Sequence, residues 1–350
     1  MKHAAKRKIG TTEVEITRLG YGGTALAGTT GPSDEPEAVA VIRAALSHGI
    51  RYFDTSPLYG SGLSEHRMGA GLRHAPRAEI VVSTKVGRLL IPDASAAGGG
   101  ALPFRPDFDY SRGGSIRSFE DSLQRMGVDR IDLLFIHDIS HRWHGSGFEA
   151  ALARATAEAL PALVEFRDAG VIGAIGLGTN DLAAAVPMAA HGGLDCVMIA
   201  REYNLLNHAE LLRHLAPVCV RNGVSLICAA PYASGILATG LTEGATYMYA
   251  PPDDAVRAKI TNLEAVCALH GVPLRAAALQ FADLNPLVSS VVAGLRTEAE
   301  IDAAIEAFNY PVPPAFWAQL KAEGLIDPAA PIEAGSLGTT GGAERRNPAA

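Results

Sequence analysis

A chain of 350 residues, 48% hydrophobic and 19% charged, can bury a full core without disulfides or metals. Its net charge of −7 and its one short basic run, Lys6 to Lys8, argue against a nucleic-acid partner. No apolar run reaches the ~18 residues of a membrane span, and Met1 to Lys8 lacks the apolar region of a secretion signal, so the expectation is no membrane partner and a cytoplasmic location.

Residues Lys8–Thr17 alternate around Gly10-Thr11-Thr12, which predicts a β-hairpin. Strands follow near Leu19–Gly22, Ile50–Thr55, Ile80–Lys85, Ile131–His137, Ile172–Gly178, Cys196–Ile199, Ser225–Ala229 and Val288–Ala293. Amphipathic helical patterns lie between them, for example Glu35–His48, Ser115–Met126, Ala157–Ala169 and His208–Asn222. Eight strands alternating with helices predict a single α/β domain, a (β/α)8 TIM barrel over residues 8–325 with the hairpin across its floor. Gly87–Asp109, rich in Gly, Ala and Pro, predicts a long loop at the C-terminal face. Residues 333–350, poor in apolar side chains, are expected to be a disordered tail. Cys196, Cys219, Cys228 and Cys267 form no CxxC pair and sit in apolar stretches, as buried free thiols of a reducing compartment would.

Gly20-Tyr21-Gly22-Gly23-Thr24-Ala25 fits the loose GxGxxG/A dinucleotide pattern after a strand. No helix opens there, since Ala27 to Pro36 are small residues and turn formers, which argues against a Rossmann site.

The C-terminal ends of barrel strands are where such a fold does chemistry. Strand two ends in Phe53-Asp54-Thr55-Ser56-Pro57-Leu58-Tyr59-Gly60, strand three in Ser83-Thr84-Lys85 and strand four in Ile136-His137-Asp138. Singly, Asp54 reads as a turn cap, Lys85 as a snorkelling lysine, His137 as a core imidazole and Tyr59 as a loop aromatic. Together they bring four reactive groups to one mouth. Asp54-Thr55-Ser56-Pro57-Leu58-Tyr59-Gly60 resembles the D-T-A-x-x-Y-G signature of the aldo-keto reductases, and the ends of strands three and four resemble that family's other two catalytic strand ends. The resemblance covers residues ~8 to ~325 and implies a catalytic tetrad at Asp54, Tyr59, Lys85 and His137. A free phenol with a pKa near ~10 is a poor base at neutral pH, and a nearby ammonium is expected to lower it. Asp54 would hold Lys85, and His137 would donate to the substrate oxygen. The scheme needs no metal.

The resemblance further implies a nicotinamide dinucleotide lying across the mouth. Thr179 and Asn180 match the element that binds its carboxamide. Pro231, Tyr232, Ser234 and Gly235 match the pyrophosphate loop, and Gly294, Arg296 and Glu300 the adenosine end. Two departures stand out. Ala200 replaces a frequent Gln after strand six, and Ala229 and Ala230 replace a frequent aromatic, with Tyr203 or Tyr232 as substitutes. Glu298 and Glu300, where NADP-using members carry cations, favour NAD; Arg296 leaves NADP open.

The longer pattern, including Phe108-Asp109-Tyr110-Ser111 and Asp129-Arg130-Ile131-Asp132, resembles the bacterial aldose 1-dehydrogenases of the L-fucose or D-threo-aldose class. It implies oxidation of an aldose hemiacetal to a lactone, with Trp143, Phe104 and Tyr110 stacking on the substrate. Pyridoxal 4-dehydrogenase, in the same neighbourhood, and a general carbonyl reductase are the alternatives. A metal-dependent barrel hydrolase is the rival from another class, since His137, Asp138, His141 and His144 crowd one loop. The His-x-His such enzymes carry at strand one is replaced here by Gly22-Gly23-Thr24. The oligomeric state is not legible.

Overall fold

The computed structural model describes residues 1–28, 34–96, 101–248 and 250–332. The tail over residues 333–350 therefore lies outside the described residues.

A hairpin of β1 (Lys6–Lys8) and β2 (Glu15–Thr17) opens the chain. It leads into β3 (Leu19–Gly22), β4 (Tyr52–Asp54) and β5 (Val81–Val86). An antiparallel ribbon, β6 (Arg88–Pro92) and β7 (Phe104–Phe108), follows. The chain continues through β8 (Leu133–His137), β9 (Ala174–Thr179), β10 (Cys196–Ala200), β11 (Ser225–Ala229) and β12 (Val288–Ala293). Strands β3, β4, β5, β8, β9, β10, β11 and β12 pair in parallel and close into an eight-stranded barrel. This is the expected (β/α)8 fold.

Two apolar clusters hold it. The inner one fills the barrel with Tyr52, Leu133, Phe135, Ala174, Cys196, Met198, Ile227 and Val292, and is sealed from below by Ile9 and Ile16 of the floor hairpin. The outer one packs the helices onto the strands. The period of two along each strand sorts side chains between these clusters. The inward-facing Phe135 ring has room because Gly176 on the neighbouring strand has no side chain; a Cβ there would lie 2.3 Å from it.

Two expectations change. The segment Gly87–Asp109 is not an irregular loop: its ends pair as the β6–β7 ribbon, Arg88 opposite Phe108 and Pro92 opposite Phe104. Alternation of apolar and polar residues over Phe104–Phe108 is the signal that the Gly-rich centre obscured. Residues 97–100 of that centre lie outside the described residues. The helices expected over Ala157–Ala169 and His208–Asn222 each contain one wide turn, at Ala155–Ala159 and Leu211–Leu215. Each wide turn runs up to a proline, Pro161 or Pro217, which lacks an N–H and crowds the preceding carbonyls, so the helix widens there instead of breaking.

The helix Leu63–Leu72 crosses the end of the helix Arg112–Met126 at Gly69, where an added Cβ would lie 1.9 Å from the Met126 carbonyl oxygen. Backbone cannot swing aside as a side chain can. We expect Gly69→Ala to lower stability by about 1–3 kcal/mol. Gly113→Ala, where nothing lies within 4 Å, should be neutral or stabilising. Urea unfolding midpoints of the two variants check this; equal midpoints would remove the close-packing account.

Candidate active site

β4 and β5 run side by side with Asp54 opposite Ser83. Lys85, two residues further along β5, points the same way as Ser83. Lys85 Nζ donates to Asp54 Oδ2 at 2.7 Å, to Oδ1 at 2.9 Å and to the Thr55 carbonyl at 2.7 Å. Ser83 Oγ donates to Asp54 Oδ1 at 2.7 Å. Both charges are almost wholly buried, with side-chain exposures of 2% and 4%. Burial disfavours the Lys85 cation, but Asp54 and Tyr59 outweigh it and hold the ammonium above its usual value. Burial raises the Asp54 carboxyl, against the pull of Lys85 and Ser83.

Tyr59 stands on the loop between β4 and the helix Leu63–Leu72. Gly60, Ser61 and Gly62 all take positive φ there, which turns the chain sharply back. That helix is anchored from below: Glu65 accepts from Thr84 at 2.7 Å and from Arg125 at 2.5 Å. The Lys85 ammonium is 4.9 Å from the Tyr59 ring centre. The expectation that the lysine lowers the phenol is met only in part. Burial pushes Tyr59 up, Lys85 pulls it down, and the net position is above the ordinary value.

His137, the last residue of β8, meets the Tyr59 ring edge-on at 6.2 Å. Burial, Lys85 and Arg88 together hold its imidazole well below the usual value, so it is neutral. Its tautomer follows from its partners. Leu58 N–H donates to Ser56 Oγ at 3.1 Å, and the same hydroxyl lies 3.1 Å from His137 Nδ1. The Asp138 carboxylate, with Oδ2 3.4 Å from Nε2, favours the tautomer that carries the ring proton on Nε2. Ser56 was not singled out from the sequence.

The other expected residues divide. Asn180, with its amide turned to suit its neighbours, donates to the Ala200 carbonyl at 3.1 Å and accepts from Arg201 at 2.9 Å. Thr179 Oγ1 donates to the Ile139 carbonyl at 2.9 Å. Where Gln is frequent, a backbone carbonyl and Arg201 therefore steady Asn180. Tyr203 is no substitute aromatic at the mouth, because it is buried and stacked on Phe281 at 5.3 Å. Tyr232 is partly exposed and lies near Arg275 and Glu300. It belongs to the loop after β11 with Pro231, where Ala230, Ala233, Ser234 and Gly235 all have positive φ. Such conformations cost non-glycine residues about 1 kcal/mol or more each, and they recur where a ligand or site constrains the backbone. Beyond Gly294, Arg296 is clamped by Glu300: its backbone N–H and Nη2 both donate to that carboxylate at 2.7 Å.

The substrate set also shifts. Trp143 is 43% exposed at the rim. Tyr110 offers no open face; it is buried against Gly87 and Phe108, and its hydroxyl donates to the His137 carbonyl at 2.7 Å. Phe104 sits at the far end of the ribbon, and Phe108, at the near end, is the aromatic beside the site. The crowded histidines diverge, His141 toward Asp181 and His144 toward Tyr110. Among the described residues no group of three or more His, Cys, Asp or Glu is arranged to hold a metal ion.

A parallel barrel whose mouth pairs a phenol with a buried ammonium and a neutral imidazole donor is built to move a proton at a small oxygen substituent. Residues 18–323 match the model of the aldo/keto reductase family. The chain is 36% identical to a pyridoxal 4-dehydrogenase of Microbacterium luteolum, covering 93% of this chain and 99% of that one. It is 36% identical to a D-threo-aldose 1-dehydrogenase of a Pseudomonas species, covering 89% and 95%. An aldo-keto reductase of Bacillus halodurans in its holo form superposes with a TM-score of 0.71 at 24% identity, covering 92% and 96%. The chain belongs to the aldo/keto reductase family and is an oxidoreductase. Members of the family use nicotinamide dinucleotides and act on small carbonyl compounds. The residues here fit such a cofactor: a fixed side-chain amide at Asn180, a contorted loop after β11 and an acidic end at Glu300.

We expect the His137 ring carbons to keep their neutral-form chemical shifts as pH falls through 6.5, the ordinary histidine value. Histidine-selective carbon labelling reads this directly. A midpoint at or above 6.5 would show that burial and the two cations do not dominate.

Proposed function

We propose that this protein oxidises the cyclic hemiacetal of an aldose at C1 to a lactone, with NAD as acceptor and Tyr59 as the general acid/base. The observation that carries the reading is the buried Asp54–Lys85 pair with the Tyr59 phenol over it and the His137 Nε2 donor beside it. A nicotinamide dinucleotide, which Asn180 and the loop after β11 would hold, would supply the hydride acceptor. Tyr59 takes the hydroxyl proton of the hemiacetal as C1 becomes a carbonyl. Lys85 stabilises the phenolate that precedes this step, Asp54 keeps Lys85 in place, and His137 holds the substrate oxygen. Aldoses exist mainly as cyclic hemiacetals, and a D-threo-aldose 1-dehydrogenase is among the relatives.

NAD is proposed over NADP because Glu300 occupies Arg296 and sets a carboxylate where a 2′-phosphate would need cations, while a free ribose hydroxyl can donate to it. The reducing cytoplasm suits four buried free cysteines and is the proposed compartment. A second reading, oxidation of pyridoxal in its own hemiacetal form, is supported by the relative of equal identity. Initial rates of reduced-cofactor formation with L-fucose, D-arabinose, L-galactose and pyridoxal, each with NAD and with NADP, separate the readings. Turnover of an aldose with a kcat/KM ratio favouring NAD is expected; pyridoxal alone, or a ratio favouring NADP, defeats the corresponding part.

Tyr59→Phe removes the proton-transferring oxygen and little volume. We expect kcat to fall by about 10²-fold or more, with cofactor affinity nearly unchanged. Because burial holds the phenol above its usual value, oxidation should keep accelerating into alkaline pH. Lys85→Met takes away the larger of two downward pulls, the other being the hydrogen bond with Thr24, so its rising limb should move to still higher pH. A pH profile unmoved by Lys85→Met would separate Lys85 from the phenol.

A further inference from the structure

Arg88 and Asp138 form a second buried charge pair beside His137, and the proton-transfer scheme does not use it. Arg88 begins the ribbon after Gly87, and its side chain is only 3% exposed. Its Nη2 donates to Asp138 Oδ2 at 2.7 Å. Its guanidinium carbon lies 4.3 Å from the Phe108 ring centre and 4.4 Å from that of Trp143. Its Nε is buried with no hydrogen-bond partner among the described residues.

Asp138 is held in a left-handed conformation, φ +55°, with its N–H donated to the Gly178 carbonyl at 2.8 Å. That is an uncomfortable backbone for a residue with a side chain, and such positions cluster where a site constrains them. Its Oδ2 lies 3.4 Å from His137 Nε2. A buried ion pair contributes little to folding compared with apolar packing, so stability gives no reason to keep one here.

Resting on the assignment of His137 Nε2 as the donor to the substrate oxygen, the geometry points to Asp138 as the residue that reads a hydroxyl on the carbon next to the reacting carbon. Arg88 is its positioning residue. A vicinal hydroxyl lies about one hydrogen-bond length from the reacting oxygen, and the Asp138 carboxylate is within such a step of Nε2. The hydroxyl donates and the carboxylate accepts. Arg88, gripped by two rings, fixes which oxygen is presented, and Trp143 forms the adjoining wall for the rest of the substrate. The substrate class is then 2-hydroxy aldehydes and their cyclic hemiacetals. A substrate without that hydroxyl leaves the buried carboxylate short of a donor and is rejected.

Two substrate pairs that differ only in that hydroxyl test this: lactaldehyde against propanal in reduction, and D-arabinose against 2-deoxy-D-ribose in oxidation. In the wild-type protein kcat/KM should favour the hydroxylated member by about tenfold or more. Asp138→Asn, which keeps the shape, should collapse that ratio. The double variant Arg88→Met, Asp138→Ala removes both charges, so no unpaired charge is left to unfold the protein, and should collapse it too. Arg88→Lys should retain more of the ratio than Arg88→Met, which a purely packing role would not produce. A wild-type ratio near one, or a ratio unchanged by Asp138→Asn and by the double variant, overturns the proposal. If no aldose is oxidised but the lactaldehyde–propanal ratio still depends on Asp138, the aldose reading fails and the role of Asp138 stands.

Discussion

Lys85 carries a full charge on an inward-facing strand position, and a charge so buried persists only where it is matched. Asp54, Ser83 and the Thr55 carbonyl match it at hydrogen-bond distance. Removing one partner of such a pair costs about 3–5 kcal/mol, so β4 and β5 are bound to a single relative position at their ends. Tyr59 inherits its place from that arrangement, because its loop begins at the residue whose carbonyl accepts from Lys85. The parallel register brings His137 opposite Gly178 on the next strand pair, completing the group.

The same charge sets the protonation of its neighbours in opposite senses. It favours phenolate at Tyr59 and opposes imidazolium at His137. One cation therefore pulls the phenol down and keeps the imidazole beside it neutral. Burial reinforces the second effect and opposes the first. Both groups are left in their uncharged forms, the phenol and the imidazole facing each other edge-on.

Much of this was legible in the sequence because barrel chemistry is local to strand ends. An apolar run followed by Asp, by Lys or by His states both a strand and where it leaves the barrel, and the paired strands have the expected limits to within a residue or two. What was illegible depends on neighbours distant in the chain. Ser56 reads as a turn serine until His137, 81 residues later, is found against it. Arg88 falls at the start of the expected Gly-, Ala- and Pro-rich loop; only the fold sandwiches it between Phe108 and Trp143. Tyr110 was misread because an aromatic in a loop looks available, whereas the absent side chain of Gly87 gives it a buried seat. Arg201 stands beside the missing Gln, but that it reaches Asn180 follows only from its left-handed backbone.

The floor hairpin has a consequence for the order of events at the opposite end. Ile9 and Ile16 are wholly buried beneath the inner cluster, and Tyr52, Phe135 and Met198 fill the space above them. The barrel is a cup with one rim. Everything that reacts in it enters and departs by the same side, so two molecules that meet at the tetrad must queue. A plug about as far from Lys85 as the barrel is long thus decides the route of access at the opposite end.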